Sequence, residues 1–551
     1  MNESPASASD LLFEIQNLLE LRGENQFRIR AYEKAAKALS GREDLMERAQ
    51  QGTLQEIPGV GKGIEHILIE YLLHGKCSEL EELKASISPA LIELTRIPGL
   101  GPKKARHLID ELGVSTIGEL EYACKENRLL RIKGFGEKAQ KKILEAIALQ
   151  SAYEGFYKLS DVWDEAEAFY QQVRDQFPGL QISETGALRR RNEVLQSLDF
   201  VVGPLPESQV GADLRSQLEK FRARFIEHQK ARCPIHLDWV DADGFVFELA
   251  RTTATDAHWQ AIGSPARSQF LGLEKEDQLY SKLGLEWIPA ETRETGEEVH
   301  LAKGGGLKHL LPWDGLRGCF HNHTVRSDGA ATLEEMVTRA EELGMEYIGI
   351  SDHSQSAYYA QGLKEDDLEA QYAEVQEVQE RHPKIKIFWG IESDILADGA
   401  LDYPAKVLKR FDFVVASVHS RFNLDREAMT ERILNAVRHP ATRFLGHPTG
   451  RLLLGRKGYD VDLEAILKEA AQCDVAVELN SNPNRLDVDW RWGPVMRKYH
   501  TLTSINPDAH DLAGLEDTRY GIAMARKALL PVDQVINSKS VQEVEKWLRR
   551  H

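Results

Sequence analysis

Two histidines one residue apart, His321 and His323, stand at the end of an apolar run in Gly318-Cys319-Phe320-His321-Asn322-His323-Thr324-Val325-Arg326-Ser327-Asp328. On an extended chain both point to the same face, each offers a nitrogen lone pair, and the carboxylate of Asp328 follows within a turn. Such a stretch is a nucleus for metal ligation rather than a core pattern. An H-x-H pair alone is a weak signal, but the theme repeats. Strand-like runs lead to Asp352 and His353, to Glu392, to His419, to His447 and to Asn480, and the run 502–506 precedes Asp508 and His510. Nine side chains are therefore candidate metal ligands: His321, His323, Asp328, His353, Glu392, His419, His447, Asp508 and His510. A structural zinc needs only about four ligands, so this set suits two or three divalent ions with a carboxylate such as Glu392 between them. Clustered ions suit hydrolysis of a phosphoester, because one lowers the pKa of a bound water and another stabilises the leaving oxygen. Histidine and carboxylate ligands suit zinc, manganese or iron. His353, His419 and His510 are the candidate catalytic groups; a bound water, His419 or His510 could each protonate the leaving oxygen.

Helical patterns, for example over 333–343 and 366–381, separate the seven strand-like runs. Alternating strand and helix, with chemistry at the strands' C-terminal ends, is how a barrel of parallel strands carries its site. From about residue 310 to 551 the sequence resembles the polymerase-and-histidinol-phosphatase (PHP) family of metal-dependent phosphoesterases. The resemblance lies in the H-x-H start, the S-D-G, the D-H after a strand, the G-x-E, the V-H-S, the G-H-P, the E-x-N-x-x-P-x-R-L-D run from Glu478 to Asp487 and the final D-A-H. It implies a distorted (β/α)7 barrel with a trinuclear metal site whose nine ligand positions are all filled here. Cys319 replaces the aspartate often found before the first histidine, at a position that is not usually a ligand.

The remainder of the chain must present a substrate to such a site. A five-residue turn occurs three times, as Ile57-Pro58-Gly59-Val60-Gly61, Ile97-Pro98-Gly99-Leu100-Gly101 and Ile132-Lys133-Gly134-Phe135-Gly136. Gly59, Gly99 and Gly134 permit a tight turn with positive φ, and Gly61, Gly101 and Gly136 leave backbone N–H groups exposed at the next helix. Lys62, Lys103, Lys104, Arg106, Lys138, Lys141 and Lys142 stand just beyond. This helix-hairpin-helix pattern grips the DNA backbone without reading bases, although a single copy could serve for packing alone.

Between these regions, Gly186-Ala187-Leu188-Arg189-Arg190 and the run Ser197-Leu198-Asp199 resemble the X-family DNA polymerases, which carry G-S-x-R-R and then a strand with D-x-D. In that family three strand carboxylates hold two magnesium ions. Asp199 fills the second position and Asp238 the third, but Ser197 stands in the first and Ala187 replaces a serine that contacts triphosphate. Arg189 and Arg190 remain and could still touch phosphate. A neutral hydroxyl cannot replace an anionic bridge between two Mg²⁺ ions, so magnesium should be weakly held and nucleotidyl transfer weak or absent. The family's lyase lysine is replaced by Ile67, which cannot form a Schiff base.

A chain of 551 residues is too long for one core. The expected organisation is a multidomain α and α/β protein: an N-terminal helical domain with the first hairpin (1–84), a helical fingers-like region with two more (85–150), a degenerate nucleotidyltransferase α+β palm and thumb (151–290), a glycine-rich linker (291–313) and the PHP barrel (314–551). The net charge of −18 argues against a basic coat but not against a local DNA groove. Five scattered cysteines form no disulfide framework, which fits a reducing cytoplasm, and no run is long enough to span a bilayer. A cytoplasmic, monomeric, DNA-binding phosphodiesterase is expected, a 3′-5′ exonuclease of DNA repair by resemblance. The alternatives are an active gap-filling polymerase with an attached exonuclease, a small-molecule phosphatase resembling histidinol phosphatase, and a non-enzymatic scaffold on DNA ends.

Overall fold

The computed structural model describes residues 7–549 apart from 43, 96, 98, 115, 126–127, 153–154, 204–208, 230 and 242–243. Pro98 of the second hairpin motif therefore lies outside the described residues. The chain forms two compact units, residues 1–154 with 511–513 and residues 155–510 with 514–551. Among the described residues no helix is long and apolar enough to cross a membrane.

The first unit is helical. Its opening helix, Ala8–Arg22, is fixed by a capping box between Ser7 and Asp10 and by Gly23 in the left-handed region, and it buries Leu11, Leu12, Ile15, Leu18 and Leu19. Each hairpin turn is closed by the same hydrogen bond: Val60 N to Ile57 O, Leu100 N to Ile97 O and Phe135 N to Ile132 O. The first and fourth residues of each turn, Ile57 and Val60, Ile97 and Leu100, Ile132 and Phe135, are buried, which fixes the turn's inner side and leaves the glycines outside. The turns open the helices Lys62–His74, Pro102–Leu112 and Glu137–Ala152.

In the second unit, a small sheet comes first. Strand β1 (Gln181–Glu184) runs antiparallel to β2 (Leu198–Gly203), which runs parallel to β3 (Ile235–Trp239). Phe200 packs on Phe169 of the helix Leu159–Gln176 at 5.1 Å, covering one face of this sheet. Period two then puts Asp199 on the opposite face, and the pairing of Asp199 with His236 and Val201 with Asp238 puts Asp238 on that same face.

Seven parallel strands follow: β4 (Gly318–Cys319), β5 (Tyr347–Ile350), β6 (Lys386–Asp394), β7 (Phe413–Ser417), β8 (Thr442–Leu445), β9 (Ala476–Asn480) and β10 (Thr503–Asn506). They pair in strict chain order, which bends the sheet into a nearly closed barrel. Phe320, Phe388, Phe413 and Phe444 fill its floor, Phe320 and Phe444 at 4.8 Å between ring centres. A Cβ at Gly390 would lie 2.3 Å from the ring of Phe413, so only glycine leaves room for that plug. Along β6, Phe388 and Gly390 share a face with Glu392 and Asp394, so one strand supplies first the apolar floor and then two carboxylates at the mouth.

β4 and β10 do not form a regular ladder; side-chain amides join them. Asn506 Oδ1 accepts from Phe320 N, while Asn537 Nδ2 donates to Gly318 O and Ile505 O and its Oδ1 accepts from Ile505 N at 2.7 Å.

The stretch 291–313, expected as a linker, is instead packed. It contains the helices Glu297–Lys303 and Gly306–His309, and Val299, Ala302, Leu307 and Leu310 share a core with Phe247, Ile262, Tyr280 and Leu529. Arg293 is fully buried against Glu276 and the carbonyl of Ile288. The glycines that suggest flexibility serve as caps: Gly296 and Gly305 hold φ of 86° and 71°.

Replacing Asn537 by Ala should strand buried backbone groups on both sides of the barrel seam. Unsatisfied groups of this kind cost about 1–3 kcal/mol each, so the barrel's thermal transition should fall by several degrees or more. An unchanged transition would show that the seam is held elsewhere.

Candidate metal centre

Glu392 lies fully buried at the centre of the barrel mouth, with five imidazoles around it. Its Oε1 is 3.2 Å from His321 Nε2, 3.2 Å from His419 Nε2 and 3.1 Å from His447 Nε2. Its Oε2 is 3.0 Å from His353 Nδ1 and 3.6 Å from His323 Nε2. Asp508 Oδ1 approaches His323 Nε2 at 3.2 Å and His321 Nε2 at 3.5 Å. Asp328 Oδ1 lies 3.3 Å from His510 Nε2 and 3.5 Å from His353 Nε2. All nine residues singled out from the sequence are thus brought together.

Their donor atoms fall into overlapping groups with mutual distances within 4.8 Å: His323, Asp328, His353 and His510; His321, His323 and Asp508; His321, Glu392 and His447; His353, Glu392 and His419. Both ring nitrogens of His323, Nε2 of His321, Nδ1 of His447 and Oε2 of Glu392 are buried without a well-aligned hydrogen bond among the described residues. Buried lone pairs with no donor aimed at them, shared among groups of three and four, fit divalent cations.

Burial acts against charge throughout the cluster, and neighbours decide the outcome. At His419 it is outweighed by Glu392 and Asp394, which raise the imidazole to about 10. At His510 it is outweighed by Asp328 and Asp508, to about 9. His323 is pushed down to about 3 by burial reinforced by His510 and His353. Burial would raise Glu392, but His321, His419 and His353 hold it well below the ordinary carboxylate range.

Several of the ligand candidates are braced from behind. His321 Nδ1 lies 2.8 Å from Glu478 Oε1, and the other oxygen of Glu478 accepts the backbone N–H of His447. His419 Nδ1 lies 2.6 Å from Asp394 Oδ1. Asn480 donates to both Glu478 and Asp508. Asp352 accepts from Thr324 N, Thr324 Oγ1 and Ser327 Oγ, which fixes the loop that carries Asp328. Such partners set the tautomer and the aim of a metal-binding imidazole. His447 and Asp508 hold φ of 22° and 53°, in the left-handed region that non-glycine residues avoid.

Sequence reasoning named Asp352, Asn480 and Glu478 without giving them this supporting role, and did not single out Asp394. Asp394 was legible, because it lies two residues beyond Glu392 on one strand and so shares its face. Glu478 was quoted only as part of a motif, and nothing in its spacing shows that it faces His321 across 157 residues.

The small sheet carries a different site. Ser197 Oγ donates to Asp199 Oδ1 at 2.7 Å, and His236 Nδ1 lies 3.3 Å from the same oxygen. Asp238 is raised by burial and by Asp199. Arg189 and Arg190, expected to be available to a phosphate, are engaged within the protein. Arg189 forms a two-pronged pair with Glu276 at 2.8 and 3.1 Å and also donates to Thr253 Oγ1. Arg190 pairs with Glu294 at 2.9 Å and donates to the carbonyl of Thr253.

At the hairpin turns, Gly59, Gly99 and Gly134 hold φ of 98°, 82° and 95°, which requires glycine. Gly61 and Gly101 cap their helices without a side-chain hydrogen bond. Lys62, Lys103, Lys104 and Lys138 are exposed beside the turns, as is Gly136. Free N–H groups and nearby cations make anion sites of these helix ends. Ile67 is buried in the helical core, with no amine to offer.

The sequence matches the PHP domain family over residues 320–482, a helix-hairpin-helix domain over 6–77 and a SAM-like helix-hairpin-helix tandem over 91–148. It is 30% identical to the DNA polymerase/3′-5′ exonuclease PolX of Bacillus subtilis, across 98% of each chain. A probable phosphatase of Caldicellulosiruptor saccharolyticus is 29% identical, over 42% of this chain and 95% of its own. One from Caldanaerobacter subterraneus is 26% identical, over 42% and 89%.

Asp394→Asn should lower metal affinity and activity about 10–100-fold by releasing His419, read by equilibrium dialysis. At the small sheet, burial would raise Glu276, but Arg293 and Arg189 hold it down from 4.5 to about 2. Its contribution, about 3 kcal/mol, is complete above pH 4.5 and fades as the pH falls from there towards 2. Acid titration of unfolding should show that decline. In Glu276→Gln the decline should be absent, and stability at neutral pH should be lower by about 3–5 kcal/mol, because Arg293 is left buried and unpaired.

Proposed function

Because the chain belongs to the X-family DNA polymerases that carry a C-terminal PHP domain, we propose that it is a DNA-binding 3′-5′ exonuclease of DNA repair whose working centre is the barrel mouth, and whose palm is weak or inactive as a polymerase. The observation that carries this reading is the buried Glu392 with five imidazoles within 3.6 Å. His321, His323, Asp328, His353, Glu392, His419, His447, Asp508 and His510 would hold two or three divalent ions, zinc, manganese or iron. Ions bound there supply an acidified water as nucleophile and charge neutralisation at the phosphorus. The protein's own part is to aim the ligands: Glu478 and Asp394 fix the rings of His321 and His419, and Asn480 holds Asp508. His510, with 34% of its side chain exposed, lines the way in for a terminal phosphodiester.

The hairpin turns serve as phosphate grips: Gly59, Gly61 and Lys62; Gly99, Gly101, Lys103 and Lys104; Gly134, Gly136 and Lys138. Their presence favours a polynucleotide over a small phosphomonoester as substrate. Two losses support an idle palm. Ser197 supplies a hydroxyl where a bridging carboxylate is needed, and Arg189 and Arg190 are held by Glu276 and Glu294.

With Mn²⁺ and an end-labelled primer-template, the protein should shorten the primer from its 3′ end, and His353→Ala should slow this at least 100-fold. Digestion unchanged in that variant would place the activity elsewhere. Little or no extension product should form with Mg²⁺ or Mn²⁺, and Ser197→Asp alone should not restore robust extension, because both arginines remain tied. Robust extension by the unmodified protein would overturn the idle palm.

A further inference from the structure

At the end of the barrel away from the metal centre, the strand starts enclose a cavity of about 540 Å³. Lys386 opens β6 and lines this cavity, and Glu392 stands further along the same strand, so roughly 20 Å of extended chain separates the two ends. The walls come from the starts of β6, β7 and β8, from the short helix Ala405–Leu408 and from the end of the helix Val541–Leu548. A space of that size suits a small organic molecule.

The walls are of two kinds. Leu408, Phe411 and Leu548, all buried, form an apolar part, together with Phe388 and Phe413 of the barrel floor. Lys386, Lys409, Arg443 and Arg549 set four cations against two carboxylates, Asp412 and Glu545. That is a local excess of positive charge in a chain whose net charge is −18. Both carboxylates are engaged: Glu545 lies 3.4 Å from Arg549, and Asp412 accepts the backbone N–H of Trp389 at 2.9 Å. Lys386, Lys409 and Arg443 form no ion pair among the described residues. Arg443 is 6% exposed, and it donates to the carbonyls of Leu548, Pro440 and Thr442. A buried cation whose partners are neutral is costly until an anion completes it. Lys386 Nζ lies 5.6 Å over the ring of Phe388, which sets the charge beside the apolar wall. An anionic head on an apolar body is the chemistry that fits both kinds of wall.

We propose that this cavity is a second ligand site and takes a nucleoside monophosphate, with Lys386, Lys409 and Arg443 meeting the phosphate and Leu408 and Phe411 receiving the base. The choice of a nucleotide rests on the exonuclease reading, which makes mononucleotides the product released at the other end of the same barrel. Occupancy of the cavity then rises with the extent of digestion.

The test titrates deoxyadenosine monophosphate into the full chain by calorimetry, with EDTA present so that the metal centre holds no ions. The unmodified protein should bind it saturably. In Lys386→Ala combined with Lys409→Ala the Kd should rise at least about tenfold, in the range of a lost charge-assisted contact, with the thermal transition unchanged. Lys409→Glu, at an exposed position, should weaken binding on its own. Inorganic phosphate and deoxyadenosine should each bind at least about tenfold more weakly than the nucleotide, because each offers one half of the ligand. The site is overturned by an absence of saturable binding, by equal affinity in the double variant, or by inorganic phosphate binding as tightly as the nucleotide. A protein that binds the nucleotide in this cavity but leaves 3′ ends undigested with Mn²⁺ would keep the site and overturn the exonuclease reading instead.

Discussion

A carboxylate in the dry interior with five imidazoles around it is a costly arrangement for a protein to keep. Glu392 is fully buried, and two of the nitrogens that face it, Nε2 of His321 and Nε2 of His323, have no well-aligned hydrogen bond among the described residues. Burying lone pairs and charge together is tolerable only when opposite charge completes them. The surrounding barrel is arranged around that need. Its floor is sealed by phenylalanines, its strand ends deliver ligands in order, and the rear of the His321 and His419 rings is tied to the carboxylates of Glu478 and Asp394.

The same economy of charge explains the other half of the second unit. Arg189 and Arg190 are bound by Glu276 and Glu294, and Glu294 also holds the buried Lys527, which donates to Arg190 O and Asn192 Oδ1 at 2.9 Å. Glu193 next in sequence accepts from Trp490 and Arg491. A segment whose motif suggests nucleotide binding is therefore an electrostatic joint between the small sheet and the barrel.

The barrel was legible because its chemistry is periodic. A ligand at the end of each strand-like run is a pattern that chance rarely produces, and it located all nine residues before any contact was visible. The hairpin turns were legible because positive φ leaves few alternatives to glycine. Legibility failed where partners are remote in sequence. Nothing near Arg189 announces Glu276, 87 residues on, so the arginine was read by its motif rather than by its partner. The region 291–313 failed for another reason. Its glycines signal loose chain by composition, whereas here they cap short helices whose apolar residues join a core with Leu529.

Asn537 gives the barrel an order of assembly. Its amide stitches the first strand to the last, and it lies beyond all seven. During synthesis the helical unit, the small sheet and all seven strands leave the ribosome before the barrel can shut. Asp508 and His510, which complete the histidine cluster, emerge in that same late interval. A nascent or prematurely terminated chain would thus carry the hairpin turns without a complete histidine cluster.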